Sequence, residues 1–229
     1  MIPEQHTIAI LGGTGDQGYG LALRWAKAGR RVLIGSRIRE RAAEAARQIS
    51  SEAGGGEVVG MENAEAAAGA QIVVLSVPFT GQVHTLKALK DVWKPGQILV
   101  DITVPLEATV GGSPTKLIGI WAGSAAELAA QHVPHGVHVV AAFHNIGANA
   151  LQDLAAPVEC DIIVCGDSSE ARHALKDWIN LIPGCRWIDG GKLENSRVVE
   201  AITALLIGIN RRYKSPHAGI RITGIQNDK

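Results

Sequence analysis

Leu11-Gly12-Gly13-Thr14-Gly15-Asp16-Gln17-Gly18 joins an apolar run, Thr7–Leu11, to a helix-prone stretch that reaches about Ala28. A GxGxxG pattern carries information only in that setting, after a strand and opening a helix. There Gly13 permits the tight turn, Gly15 lets the main chain approach a pyrophosphate, and Gly18 lets helix and strand pack closely. The N–H groups from Thr14 to Gln17 then face the phosphates with the helix dipole behind them. About twenty residues on, Gly35-Ser36-Arg37 occupies the place where an acidic side chain would hold a free ribose 2′-hydroxyl. Ser36 offers a hydroxyl, and Arg37 offers a planar cationic fork that suits phosphate oxygens. Arg41, four residues later, is expected on the same helix face as Arg37. The pair reads as NADP rather than NAD, the competing reading being ordinary solvated charge.

Working outward, apolar bursts alternate with helical stretches, as in successive βαβ units. Strands are expected at Thr7–Leu11, Arg31–Gly35, Glu57–Gly60, Gln71–Ser76, Gln97–Asp101 and His138–Ala142. Helices are expected after the glycine turn, over Arg37–Ala53, around Asn63–Ala68, over Phe79–Lys90 and over Ser124–Gln131. Ile72-Val73-Val74-Leu75 is continuously apolar, as in a strand covered on both faces. The fold class is α/β: a Rossmann-type, doubly wound, mostly parallel sheet over residues 1–150. A smaller α/β extension follows over 151–229. It comprises strands at Asp161–Gly166 and Arg186–Asp189, a helix over Ser169–Leu181, a last helix over Arg197–Arg212, and a final strand at Gly219–Ile225. Apolar positions wrap most of the last helix, which predicts burial in a core or a dimer interface.

Composition narrows the function classes. Lys+Arg and Asp+Glu both total 22, so no global charge attracts nucleic acid or an anionic membrane. Apolar runs fall short of the roughly 20 residues that a membrane helix needs. The amino-terminal residues lack a basic leader with an apolar core. Three cysteines without CxxC spacing read as reduced, buried thiols in a cytoplasmic protein. His132, His135 and His138 are regularly spaced, but Pro134 and Gly136 interrupt any helix that would align them, so no metal is expected.

Further candidates follow strand ends on the cofactor side. Ser76 closes the fourth strand. Phe79 and Val83 share a helical face suited either to the dinucleotide or to the core. Asp101–Leu106 follows the fifth strand near the expected nicotinamide. His144-Asn145 ends the sixth and could orient a ring carbonyl or satisfy main-chain groups. Arg211, Arg212 and Lys214 end the last long helix, where they complement its dipole or meet an anionic tail. No nucleophile arrangement is visible, nor a Lys or Tyr placed as in common carbonyl reductases, so no catalytic acid or base is named. Hydride transfer that needs little proton help points to a second redox cofactor.

These residues resemble the F420-dependent NADP reductase family over nearly the whole chain. The marks are Gly12-Gly13-Thr14-Gly15 with Gly18 and Gly20-Leu21-Ala22, Gly35-Ser36-Arg37, Val77-Pro78-Phe79 and Phe143-His144-Asn145. Val164-Cys165-Gly166-Asp167, Asn195-Ser196-Arg197 and Ala218-Gly219-Ile220-Arg221 complete the series. The resemblance implies reversible hydride transfer between NADPH and the deazaflavin coenzyme F420, with the two rings stacked. It also implies a homodimer whose carboxyl-terminal part helps to build the deazaflavin site. By match, Thr14, Gly15, Asp16, Gln17, Ser36, Arg37, Arg41, Phe79, Val83, Leu106 and Ala148 would contact NADP, and Ala218 the deazaflavin. Gly147 stands where some members carry Pro.

Overall fold

The computed structural model describes residues 7–215 and 217–225; the amino-terminal stretch read for a leader lies outside them. The chain alternates strands and helices: β1 Thr7–Leu11, α1 Asp16–Lys27, β2 Arg31–Ser36, α2 Arg39–Ala53, β3 Glu57–Glu62, α3 Asn63–Ala68, β4 Ile72–Leu75, α4 Phe79–Ala88, β5 Ile98–Asp101. It continues through α5 Ala125–Ala130, β6 His138–Ala141, α6 Ala148–Gln152, β7 Cys160–Gly166, α7 Ser169–Ala174, α8 Lys176–Asn180, β8 Cys185–Asp189 and α9 Ser196–Tyr213. Local chemistry sets several boundaries. Gly54, at φ +65°, takes the left-handed conformation that ends α2. Glu62 and Glu65 form a reciprocal capping box on α3.

All eight strands form one sheet in the order β3-β2-β1-β4-β5-β6-β7-β8. The first six are mutually parallel, with the order reversal between β1 and β4 that defines a doubly wound fold. β7 then runs antiparallel to β6 through Val140↔Gly166 and Ala141↔Cys165, and β8 is parallel to β7. The antiparallel pairing leaves Cys160–Val164 extending past the carboxyl end of β6. Apolar side chains cover both faces of the sheet. On one face Trp25 packs edge-on against Phe143 (5.9 Å) and Trp178 (5.5 Å), joining residues before and after position 150 in a single core. On the other, Leu11, Leu75, Leu99 and Val199 pack together.

Two expectations are corrected. The stretch Ser169–Leu181 is two short helices with a break at Leu175. Both end beside a carbonyl claimed by an indole N–H: Trp187 donates to Arg172 O (3.0 Å) and Trp25 to Trp178 O (2.8 Å). Gly219–Ile225 is irregular and not a sheet strand, being held mainly through the side chain of Asp161. In α9, Val199, Ala204 and Leu206 are buried within the chain, whereas Val198 and Leu205 are 68% and 61% exposed.

Candidate functional site

The glycine turn lies at the carboxyl end of β1, between β2 and β4. Gly12, not Gly13, adopts the left-handed conformation, at φ +73°. A Cβ there would lie 2.5 Å from the Ser76 carbonyl oxygen. Gly13 instead allows close packing, since a Cβ on it would lie 3.2 Å from Ile34 Cγ2. A Cβ on Gly18 would lie 2.9 Å from Gly13 Cα and from Ser76 Oγ, so Gly18 is what allows α1 to sit so close to β1 and β4. Gly15 differs: the nearest atom to a Cβ there is Gly12 O at 3.6 Å. It is the N-cap of α1 and has no side chain to bond the first helical N–H groups. Thr14, Gly15 and Asp16 are exposed and Gln17 is half-buried. An open, uncapped helix start is suited to phosphate oxygens.

At the end of β2, Ser36 is buried and its Oγ accepts from Ile38 N at 3.2 Å. Arg37 precedes the N-cap Ile38, so it stands in the turn before α2 rather than on the helix with Arg41 as expected. Both arginines are exposed, and neither forms an ion pair with a described residue. Nearby Arg31 pairs with Glu57 (3.0 Å) and Arg39 with Glu65 (2.6 Å). Two cations left without carboxylates beside the glycine turn fit a 2′-phosphate.

Across the turn, Ser76 follows β4, and Phe79 and Val83 present half-buried side chains on one face of α4. Asp101, at the end of β5, is wholly buried. It accepts from Gln82 Nε2 (2.6 Å), Thr103 N (2.7 Å) and Thr103 Oγ1 (2.8 Å). Burial pushes its pKa up to about 6 against the pull of those donors. Leu106 caps a short 3₁₀ turn at 107–110 in the following loop and is half-buried. Glu200 on α9 accepts from Ala125 N and Ala126 N at the start of α5, and burial pushes its carboxyl up to about 8. Of this buried polar layer the sequence pointed only to the Asp101–Leu106 segment, not to Gln82 or Glu200, although Glu200 is the one acid within the apolar stretch of α9.

Beyond β6, Phe143 is buried at φ +63°, a conformation that costs a non-glycine residue about 1–3 kcal/mol and recurs at functional sites. His144 is 4% exposed, and neither ring nitrogen has a hydrogen-bond partner. Burial lowers its pKa to about 4, opposed by the nearby Thr103 main chain, so the ring is neutral at ordinary pH. Its carbonyl accepts from Thr203 Oγ1 of α9 at 2.6 Å. Gln82 Oε1 and Asn145 Oδ1 are likewise buried without partners. Such orphaned polar atoms, on α4 and just after β6, fit a site that a polar ring completes.

α1 also positions the loop after β6. Gln17 Nε2 donates to Phe143 O (3.4 Å) and Ile146 O (3.2 Å). The buried guanidinium of Arg24 donates to Leu151 O and Ala150 O (both 2.8 Å), to Ala156 O (3.1 Å) and to Asp153 O. These bonds hold α6, with Ala148 half-buried at its start and Gly147 as its N-cap. Ile146 and Gly147 line a cavity of about 220 Å³ together with Cys160, Ala218 and Gly219. Ala218 and Gly147 thus line one cavity, whereas Ala148 is not among its lining residues. Arg211 and Arg212 instead border a separate groove with Thr115 and Leu117. Among the described residues no group of three or more His, Cys, Asp or Glu side chains is arranged to hold a metal.

Comparison with known proteins agrees with this geometry. Residues 7–105 match the family model described as "NADP oxidoreductase coenzyme F420-dependent". The chain is 48% identical over 223 residues to an F420-dependent NADP reductase of Methanocaldococcus jannaschii, covering 96% of this chain and 99% of that protein. It is 47% identical over 221 residues to that of Methanothermobacter marburgensis, covering 95% and 98%. A crystal structure of a putative F420-dependent NADP reductase from an Arthrobacter species superposes with a TM-score of 0.78, at 25% identity, covering 95% of this chain and 99% of that one. A doubly wound sheet with an open helix start at the first turn, matched end to end by these relatives, makes this chain an oxidoreductase of the F420-dependent NADP reductase family.

Proposed function

We propose that this chain, which by family acts on NADP and coenzyme F420, moves hydride directly between the two rings beyond the carboxyl end of β6, beside the cavity that Ile146, Gly147 and Ala218 line. The observation that carries this reading is that cavity. It lies next to the α6 corner that the NADP-binding helix itself positions, and Gly147, Ala150, Ala218 and Gly219 are among the residues that line it. When bound, NADPH supplies the hydride and the deazaflavin accepts it.

The remaining work falls to the protein. Thr14, Gly15, Asp16 and Gln17 offer main-chain N–H groups to the pyrophosphate, with Gly13 and Gly18 shaping the turn. Ser36, Arg37 and Arg41 hold the 2′-phosphate. Ser76, Phe79, Val83, Leu106 and Ala148 border the dinucleotide, and neutral His144 orients a ring edge without exchanging a proton. Ala218 borders the deazaflavin. Rate then comes mainly from holding two flat rings in register. Residues 1–150 supply the NADP side, and 151–229 the deazaflavin side. The exposed Val198 and Leu205 on α9 form part of a homodimer interface in a cytoplasmic enzyme. Among the described residues no helix is long and apolar enough to cross a membrane.

The test is reaction with NADPH deuterated at C4 in the presence of purified coenzyme F420. Loss of the deazaflavin absorbance with deuterium carried to the carbon that receives the hydride, and none reaching that carbon from D2O, is the expected result; the accompanying proton on ring nitrogen comes from solvent and exchanges freely. Turnover with free flavin but not with F420, or solvent label at the hydride-accepting carbon, overturns it.

A further inference from the structure

We infer that Asp161 is a positioning residue for the deazaflavin wall, holding segment 217–222 over the cavity through Arg221 and the main chain of Ile222. The inference rests on reading the cavity beside Ala218 as the deazaflavin slot.

Asp161 follows Cys160 at the amino end of β7, and its side chain is fully buried. Its Oδ2 accepts from Ile222 N at 2.7 Å, and its Oδ1 accepts from Arg221 Nη1 at 2.9 Å. Arg186 on β8 donates to both oxygens, at 2.6 and 2.5 Å, and its Nη2 also reaches Ile222 O at 3.0 Å. Arg221 extends the clamp to Glu159 Oε2 and Gly184 O, both at 2.7 Å. Burial alone would raise the Asp161 pKa, but these donors bring it down to about 2, so it is a carboxylate under all ordinary conditions.

One main-chain bond, from Asp161 N to Ile220 O (2.8 Å), supplements the clamp. At its other end the segment hangs from α9, where Asn210 Oδ1 accepts from Ala218 N at 3.0 Å. Ala218 and Gly219 are thus suspended between Asn210 and Asp161 rather than built into the sheet. The fit is close: a Cβ on Gly219 would lie 3.1 Å from Cys160 Sγ. Displacing the wall by about 1 Å would disturb ring alignment. The glycine turn and the Arg37 corner lie on other strands and do not depend on it.

The test is steady-state kinetics of Arg221→Ala, which keeps the Arg186–Asp161 pair, alongside Asp161→Asn and Ala218→Trp. The expected result for Arg221→Ala is a rise of about tenfold in KM for coenzyme F420, with KM for NADPH within about twofold of wild type and faster tryptic cleavage after Lys214. Asp161→Asn shows the same split more strongly if it folds; Arg221→Ala decides the matter if it does not. An unchanged F420 KM in Arg221→Ala overturns the proposal. If Ala218→Trp still raises that KM, the clamp alone fails and the slot stands. If Ala218→Trp is also silent, the slot reading fails and the clamp with it. Equal rises in both KM values would mark a merely structural role and would likewise overturn it.

Discussion

Glu200 of α9 holds the first turn of α5 by accepting from Ala125 N at 2.9 Å, while its second oxygen accepts from Ala126 N at 3.1 Å. Burial raises its pKa from 4.5 to about 8, so the folded chain keeps a proton that the unfolded chain has released. Stability from this group is full below about pH 4.5 and declines as pH rises towards 8. Asp101 adds a decline that ends near pH 6, and His144 opposes both as pH rises from about 4 to 6.5. Between about pH 6.5 and 8 Glu200 acts alone among these three groups. Wild-type stability should fall across that window by on the order of 2 kcal/mol. In Glu200→Gln the slope should vanish, although the absolute Tm at pH 6.5 should be lower because one N–H loses its acceptor. Thermal melts at several pH values check this.

Arg37 and Arg41 lack carboxylate partners among the described residues, so removing them should leave stability unchanged. A charge-assisted bond to phosphate contributes about 1.5–3 kcal/mol, so Arg37→Asp should raise the NADPH KM by roughly ten- to a hundredfold. The NADH KM should change little. Parallel shifts in the two values would contradict the 2′-phosphate assignment.

The two ends of the glycine turn should respond in opposite ways. Gly15 has an ordinary φ of −88° and open space where a Cβ would go, so Gly15→Ala should fold normally and bind NADPH less tightly. Gly12→Ala meets both a left-handed φ and the Ser76 carbonyl, and should lose about 2–4 kcal/mol of stability. Denaturant unfolding and NADPH titration, measured side by side, separate the two effects.

Leu205 is exposed on an otherwise apolar helix face. On the homodimer proposed above, Leu205→Asp should give a monomer where the wild type sediments as a dimer in analytical ultracentrifugation; a wild type that sediments as a monomer would refute that interface.

The sheet was legible because its signals are local. Ile72-Val73-Val74-Leu75 and the run Asn63–Ala68 emerge as β4 and α3 at the expected places. The glycine turn was legible for the same reason, although the left-handed residue proved to be Gly12, because Gly13 is needed for packing on Ile10 and Ile34. What escaped depends on distant partners. The break at Leu175 accompanies indole bonds from Trp25 and Trp187. The tail resembles a strand in Ile220 and Ile222, but Asp161 offers it a carboxylate where a strand would offer a ladder. The partners of Arg24 lie 126 to 132 residues away, and no periodicity encodes such a pairing.

The reversal of β7 has a geometric consequence. Had the chain added β7 parallel to β6, Cys160 and Asp161 would enter the sheet at the end opposite the glycine turn. A seven-residue strand spans about 23 Å, which is the distance such a wall would have to reach back. Running β7 the other way turns the seam between the two parts of the chain into a shared threshold. The amino end of β7, with Cys160 and Asp161, then lies beyond the carboxyl end of β6, on the side of the sheet where the glycine turn follows β1.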